Sequence, residues 1–168
     1  MLGEPQEWLA QLIEANRLLA MGEMEVSADL RERAFEGASS SSGQLNGTAF
    51  TWLADQDSRL GPTLELYLDA KYYWVPVSHI KRIKCTAPAS ARDLIWATAE
   101  VTLSTGGESV ALMPVRYPGT EAVDDSQLRL ARRTEWQSAG RTFYSGTGQR
   151  VLGTDDTDVG MLDVREIV

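Results

Sequence analysis

The sequence predicts an α+β protein, an N-terminal αα-hairpin followed by a largely antiparallel sheet domain with short helices. Three observations carry this. Apolar residues recur at helical spacing as far as about residue 36. Beyond a serine-rich loop they recur with period two, between turn-forming pairs such as Asn46-Gly47 and Gly106-Gly107. The strand-like pieces are joined by short turns, which connect antiparallel neighbours.

The elements follow in order. Trp8, Leu9, Leu12, Ile13 and Leu19 keep the i, i+3, i+4 rule of an amphipathic helix, with one polar lapse at Asn16. Pro5 suits a first turn, and Glu4 and Glu7 suit the positive end of the helix dipole. Gly22 is placed to end this helix in a left-handed residue. A second helix runs from about Glu23 to Glu36, with Val26, Leu30 and Ala34 as its apolar stripe and Phe35 beside it. Glu25 and Asp29 form a mildly unfavourable acidic i, i+4 pair in it. Gly37 to Gly43, with four consecutive serines, is a loop and the one clear boundary. It divides a helical unit, residues 1–37, from a sheet unit, residues 43–168.

In the second unit, Gln44 to Phe50 reads as a hairpin around Asn46-Gly47. Ser58 is positioned to cap a helix through Leu60, Leu64 and Leu68, with Pro62 in its first turn. Tyr72 to Val75 and Ile80 to Thr86 read as strands. A segment from Leu94 runs into Ala99–Leu103, turns at Gly106-Gly107 and returns as Ser109–Met113. After a proline-bounded loop come two short elements, Arg129–Trp136 and Arg141–Tyr144. Gln149–Leu152 and Met161–Ile167 close the chain as strands around an acidic turn.

Composition bounds the function. At 168 residues the chain suits one domain, or one with a small appendage, and can bury a core without staples. The net charge of −8 and a pI near 4.7 argue against a coat for nucleic acid or anionic membrane. The charge is uneven: residues 1–36 carry −5, residues 154–168 carry −4, and the body between them carries +1. No apolar run reaches the roughly 18 residues of a membrane helix, and Met1–Pro5 lacks the character of a signal peptide. The single cysteine, Cys85, is compatible with a reducing cytoplasm.

Several constellations could carry chemistry. Asp55-Gln56-Asp57 is a D-x-D pair that could hold a divalent cation or do acid–base work as in a small metal-dependent hydrolase. The same carboxylates could instead cap a helix and pair with Arg59. Gly146-Thr147-Gly148-Gln149 lacks the rest of a nucleotide-binding loop and reads as turn geometry between strands. His79 and Cys85 could form a nucleophile pair, but Cys85 lies in a strand, where cysteine is usually a small hydrophobe. Lys81, Arg82, Lys84 and Arg92 lie near the aromatic run Tyr72-Tyr73-Trp74, as a solvated face or a patch for an acidic segment. Arg116-Tyr117 and the run Arg129 to Trp136 combine arginine with aromatics, for anion or peptide recognition or for an internal arginine–carboxylate network.

These strings, taken in order, resemble one family. Asp55-Gln56-Asp57-Ser58-Arg59-Leu60-Gly61-Pro62 is similar to the D-x-D-S-R-L-G-P block of the ImpE/TagJ family, accessory proteins of bacterial type VI secretion. Tyr72–Pro76, Arg92–Trp96, Pro114–Gly119, Leu130–Trp136, Gly146–Arg150 and Leu162–Arg165 resemble six further blocks. The resemblance implies a non-enzymatic cytoplasmic adaptor without a cofactor. It implies a partner, the small subunit of the contractile sheath, bound through a helical segment. It also implies an indirect relation to the Clp-type ATPase that disassembles the sheath. Gly3-Glu4-Pro5-Gln6-Glu7-Trp8-Leu9 resembles a motif that falls in mid-chain in the family, behind helices resembling tetratricopeptide repeats. Residues 1–37 would then be the remnant of that helical region. No catalytic residues carry over. A groove lined by Tyr72, Tyr73 and Trp74, with Arg59, Arg116 and Tyr117 nearby, is the expected partner surface; the acidic hairpin, residues 4–36, is an alternative one.

Overall fold

The structure, a computed structural model, describes residues 6–140 and 143–168. The expectations placed on Gly3, Glu4, Pro5 and on the start of the Arg141–Tyr144 element lie outside the described residues.

Helices α1 (Glu7–Ala20) and α2 (Met24–Gly37) form the expected hairpin. Gly22 takes a φ of 85°. The Glu23 amide donates to the Leu18 carbonyl and the Gly22 amide to that of Leu19, each at 3.0 Å. That is a Schellman turn, and glycine enters it without a Cβ penalty. α1 buries Trp8, Leu9, Leu12 and Ala15. In α2 the buried stripe keeps Ala34 of the expected one but not Val26. Val26 is 54% exposed, and the residues turned inward are Ser27, Ala28, Arg31 and Ala34. Small side chains let α2 approach α1 closely, and the Ser27 hydroxyl donates to the Ala15 carbonyl at 2.7 Å. Close approach outweighs the area that Val26 would bury.

Strands β1 (Gly43–Leu45) and β2 (Thr48–Phe50) flank Asn46 and Gly47, both at positive φ, the two-residue turn that Asn-Gly predicts. β3 (Leu53–Asp55) leads into a tight segment and then β4 (Thr63–Leu68) and β5 (Lys71–Pro76). β4 corrects the helix expected through Leu60, Leu64 and Leu68. A four-residue spacing suits a helix and, being even, also one face of a strand. Leu66, fully buried between Leu64 and Leu68, decides for period two.

β6 (Ile80–Cys85), β7 (Trp96–Leu103) and β8 (Glu108–Pro114) follow the expected order. Next comes a four-residue helix, α3 (Ser126–Arg129), capped by Asp125, whose carboxylate accepts from the Gln127 amide at 2.7 Å. β9 (Thr134–Ala139) and β10 (Phe143–Gly148) form a hairpin. The element expected over Arg129–Trp136 is thus split, by a turn in which Ala131 takes φ 54°. β11 (Val151–Thr154), β12 (Asp158–Gly160) and the two-residue β13 (Glu166–Ile167) close the chain. The strand expected over Met161–Ile167 is largely a 3₁₀ turn, Met161–Asp163, followed by β13.

The large sheet has the order β2-β1-β13-β6-β7-β8-β4-β5, a second runs β12-β11-β3, and β9 pairs β10; every pairing is antiparallel. One face of the large sheet, with Leu64, Leu66, Ile83, Val101 and Met113, packs on Leu152, Met161 and Val164 to form the main core. A smaller cluster joins Trp8, Leu9, Leu12 and Ala34 of the hairpin to Trp74 of β5. The hairpin is further tied to the body by a bond from the Asn16 amide to the Arg59 carbonyl, 2.7 Å, and by one between Gln6 and His79, 3.1 Å.

Candidate functional site

The D-x-D segment follows β3 and turns sharply back toward β4, which aims both carboxylates inward. Asp57 is fully buried. Its two oxygens receive Arg59 as a bidentate fork, Nε at 2.8 Å and Nη2 at 2.5 Å, together with the Arg59 amide at 2.9 Å and the Gly146 amide at 2.8 Å. That bonding is the main reason the Arg59 guanidinium is held above its ordinary range. The Ser58 amide donates to the Tyr144 carbonyl and the Ser58 hydroxyl accepts from the Tyr144 amide. The block Asp57-Ser58-Arg59 therefore fastens the β3–β4 turn onto β10.

Asp55 is buried beside it. Its Oδ1 accepts from the Asp57 amide at 2.8 Å and from the Tyr117 hydroxyl at 2.7 Å, and Arg150 Nη1 stands 3.7 Å from its Oδ2. Burial pushes its carboxyl up to about 7, against the pull of Arg150 and of the two donors. Burial also pushes the Tyr117 phenol up, and the Asp55 charge adds to this. Gly146 lies against the Tyr117 ring so closely that a Cβ there would overlap it. Arg150 continues the network: it lies over the Tyr117 ring, 5.4 Å from the centroid, pairs with Glu65 and donates from Nε to the Arg116 carbonyl at 3.1 Å. The Tyr72 hydroxyl donates to Glu65 and accepts from Trp74 Nε1 at 2.5 Å.

This network uses the oxygens of Asp55 and Asp57 on internal donors, as the pairing reading expects. Cys85 is a buried strand residue whose thiol burial pushes up to about 11, while His79 is hydrogen bonded to Gln6. Gly148 sits at φ 102° where β10 gives way to the turn into β11, the role expected of the glycine-rich string.

The aromatic run on β5 is divided by strand alternation. Tyr73 packs on the main core, while Trp74 packs under the helical hairpin. Tyr72 opens instead into a cleft of about 280 Å³ on the outer face of the large sheet. This cleft gathers Tyr72, Arg116 and Tyr117 of the six residues expected at a partner surface. Arg59 lies in the carboxylate network, and Tyr73 and Trp74 lie elsewhere. The cleft adds Tyr67 of β4 and Ile95 and Trp96 at the start of β7, with Glu65 and Arg150 among its lining. Tyr67 was concealed by the helix reading of β4; its alternation with Leu66 and Leu68 was the available signal. Tyr67 meets Tyr72 at 5.1 Å between ring centroids and Trp96 edge-on, also at 5.1 Å. A second cleft, of about 340 Å³, lies between the end of α2 and β3 and is lined by Phe35, Trp52 and Pro62 among others.

Fold and site together define a class by architecture: a helical hairpin seated on an antiparallel α+β domain, stapled internally by arginine–carboxylate pairs and presenting an aromatic cleft. The sequence profile of the ImpE protein family matches residues 47–168. The type VI secretion system accessory component TagJ of Pseudomonas aeruginosa strain PAO1 is 43% identical over 166 residues, covering 99% of this chain and 58% of that protein. The chain belongs to the ImpE family, and it spans 58% of the length of that curated relative. The crystal structure of protein VPA1032 from Vibrio parahaemolyticus superposes with a TM-score of 0.89 at 24% identity, covering 99% of this chain and 62% of that one, a likeness of fold. No helix among the described residues is long and apolar enough to cross a membrane.

Proposed function

We propose that this domain is a non-enzymatic adaptor of type VI secretion. It docks a helical segment of the small subunit of the contractile sheath and acts around sheath assembly or ATPase-driven disassembly, in the cytoplasm. The observation that carries the reading is the 43% identity, over nearly the whole chain, to a protein named as an accessory component of that system. The geometry supports it in two ways. The carboxylates that could serve hydrolysis are bonded to arginines and amides of the fold. Two exposed tyrosines, Tyr67 and Tyr72, meet at one cleft with Trp96 beside them, where an apolar helix face can dock.

In this reading Tyr72 and Arg116 face the partner, Tyr117 lies buried beneath them, and Tyr73, Trp74 and Arg59 hold the strand and turn that present them. Residues 1–37 act as the helical unit leading into the ImpE-like unit, 43–168. The test is a pull-down of this chain against the purified small sheath subunit, with the TagJ relative of Pseudomonas aeruginosa as control. Retention by both is the expected result. Retention by the relative alone would place the binding surface outside the part the two share, and retention by neither would remove the sheath subunit as partner.

A further inference from the structure

We propose that Asp55 is the proton-responsive end of a buried relay. Its ionisation draws Arg150 from Glu65 toward itself, and the change passes through the Glu65–Tyr72–Trp74 bonds to the outer cleft and to the seat of the helical hairpin. This goes beyond the adaptor reading and does not depend on it.

The relay is built from one arginine set between two carboxylates. Arg150 pairs with Glu65 through Nη2, while its Nη1 stands 3.7 Å from Asp55 Oδ2, beyond hydrogen-bond reach. The side chains of Arg150, Asp55 and Glu65 are 4%, 2% and 10% exposed, so little water is at hand for the carboxylate that the arginine leaves. With Asp55 protonated, the group is one cation and one anion, and Arg150 belongs with Glu65, as observed. With Asp55 ionised, two anions compete for one cation. Closing Nη1 from 3.7 Å to the roughly 2.8 Å of a charge-assisted hydrogen bond is a shift of about 0.9 Å. Arg150 Nε meanwhile stays on the Arg116 carbonyl, so the movement is a pivot about that bond.

The other groups facing Asp55 do not take this role. Asp57 and Arg59, on the turn that follows it, are bonded to each other. Tyr117, from the loop after β8, donates its hydroxyl to Asp55 Oδ1, and its phenol, pushed up by burial, keeps its proton. Leu152, opposite Asp55 on β11, is uncharged. Among the described residues this leaves Arg150, just ahead of β11, to answer the Asp55 charge. Burial pushes the Asp55 carboxyl up to about 7, so both of its states are reached near neutral pH.

From Glu65 the path runs outward. The Tyr72 hydroxyl donates to Glu65 and accepts from Trp74 Nε1 at 2.5 Å. Tyr72 lines the outer cleft, and Trp74 packs on the Trp8 cluster of the hairpin. A Glu65 less fully neutralised by Arg150 takes the Tyr72 hydroxyl more strongly, and a hydroxyl that donates more strongly is a better acceptor for the indole N–H.

The test titrates the whole chain, labelled with ¹⁵N and ¹³C, from about pH 5 to 9 by nuclear magnetic resonance. Three signals are read: the Asp55 carboxyl carbon, Arg150 Nε and the Trp74 indole N–H. They are expected to move together, with one midpoint at about 7. His79, bonded to Gln6 at the start of the hairpin, can also take up a proton, so the titration is repeated in His79→Gln, where the three shifts should persist. In Asp55→Asn the Arg150 and Trp74 signals should stop moving. In Glu65→Gln, Arg150 is left to Asp55 alone; the Asp55 midpoint should fall by about one unit or more, and the Trp74 signal should cease to follow it. Separate midpoints in the wild-type chain, or an Arg150 or Trp74 signal that does not move, overturn the proposal without recourse to any variant. A Trp74 shift that survives Asp55→Asn, or that vanishes in His79→Gln, overturns it as well, as does an unchanged Asp55 midpoint in Glu65→Gln. Binding of the small sheath subunit enters none of these signals, so the adaptor reading and the relay fail separately.

Discussion

Replacing Asp57 by asparagine should cost about 3 kcal/mol of stability. The carboxylate is fully buried and accepts four bonds, two from the Arg59 side chain and two from backbone amides. Asparagine keeps one acceptor oxygen but turns its NH₂ group toward donors, so at least one side of the fork is lost. Breaking a buried pair by removing one partner costs about 3–5 kcal/mol, because the other charge is left uncompensated. The Arg59 side chain is 29% exposed and can regain some water, which places the value at the low end of that range. Arg31, also buried, loses the favourable field of Asp57 and adds to the loss. For a chain of this size about 3 kcal/mol corresponds to a fall in Tm of about 6–12 °C. Urea unfolding, followed both by circular dichroism and by tryptophan fluorescence, measures it. The cycle with Arg59→Gln should return a coupling of about 2 kcal/mol. A loss below about 1 kcal/mol, with no coupling, is the size of a surface pair and would refute the assignment of Asp57 as the clamp between the β3–β4 turn and β10.

Four further outcomes are expected. The buried Asp55 carboxyl titrates near 7 in the folded chain but at about 4 when unfolded. Between those pH values the folded state holds a proton that the unfolded state has lost, so the Asp55 contribution to stability falls as pH rises through this window. Urea midpoints across it should fall less steeply in Asp55→Asn, and parallel profiles would contradict the titration. Ala70 holds φ 60° in the exposed β4–β5 turn, where Ala70→Gly should gain about 0.5–1 kcal/mol, read as a higher urea midpoint. Gly146→Ala should lose about 1–3 kcal/mol by driving a methyl group into the Tyr117 ring, and near-ultraviolet circular dichroism should report the tyrosine's displacement. Cys85, buried and with its thiol pushed up to about 11, should resist iodoacetamide at pH 8 until urea unfolds the chain; rapid labelling of the native state would contradict its placement.

Local signals were legible where one interaction decides. Gly22 and the Asn46-Gly47 pair announced their turns because each supplies left-handed backbone at low cost, and the structure uses both so. The strands Tyr72–Val75 and Ile80–Thr86 were legible from bulk and alternation. The stripe of α2 was misread because apolar size was weighed above closeness of approach, and Ser27 with Ala28 won that contest. β4 was misread because spacing by four is common to helix and strand. The site was legible only in part, since it depends on pairs far apart in the chain. Asp57 meets the Gly146 amide across 89 residues, and Asp55 meets Tyr117 across 62. Sequence alone showed arginines and carboxylates in quantity; it could not show that Arg150 is spent on Glu65 while Arg116 is not.

That difference between spent and unspent charge separates the two kinds of residue in the recognisable strings. Asp55, Asp57, Arg59 and Arg150 satisfy one another or nearby backbone, and their burial makes each removal a stability loss before it can be a binding loss. A variant at these positions that fails to bind a partner therefore reports on folding. Tyr67, Tyr72 and Arg116 keep exposed surface, and Arg116 forms no ion pair among the described residues, so a partner can still be gained or lost there while the fold stands. The strings that identify the family and the side chains of the cleft overlap at Tyr72, Trp96 and Arg116, among others. Recognition in this domain is thus best tested at those positions, with Tyr67 as the neighbour that the family strings do not include.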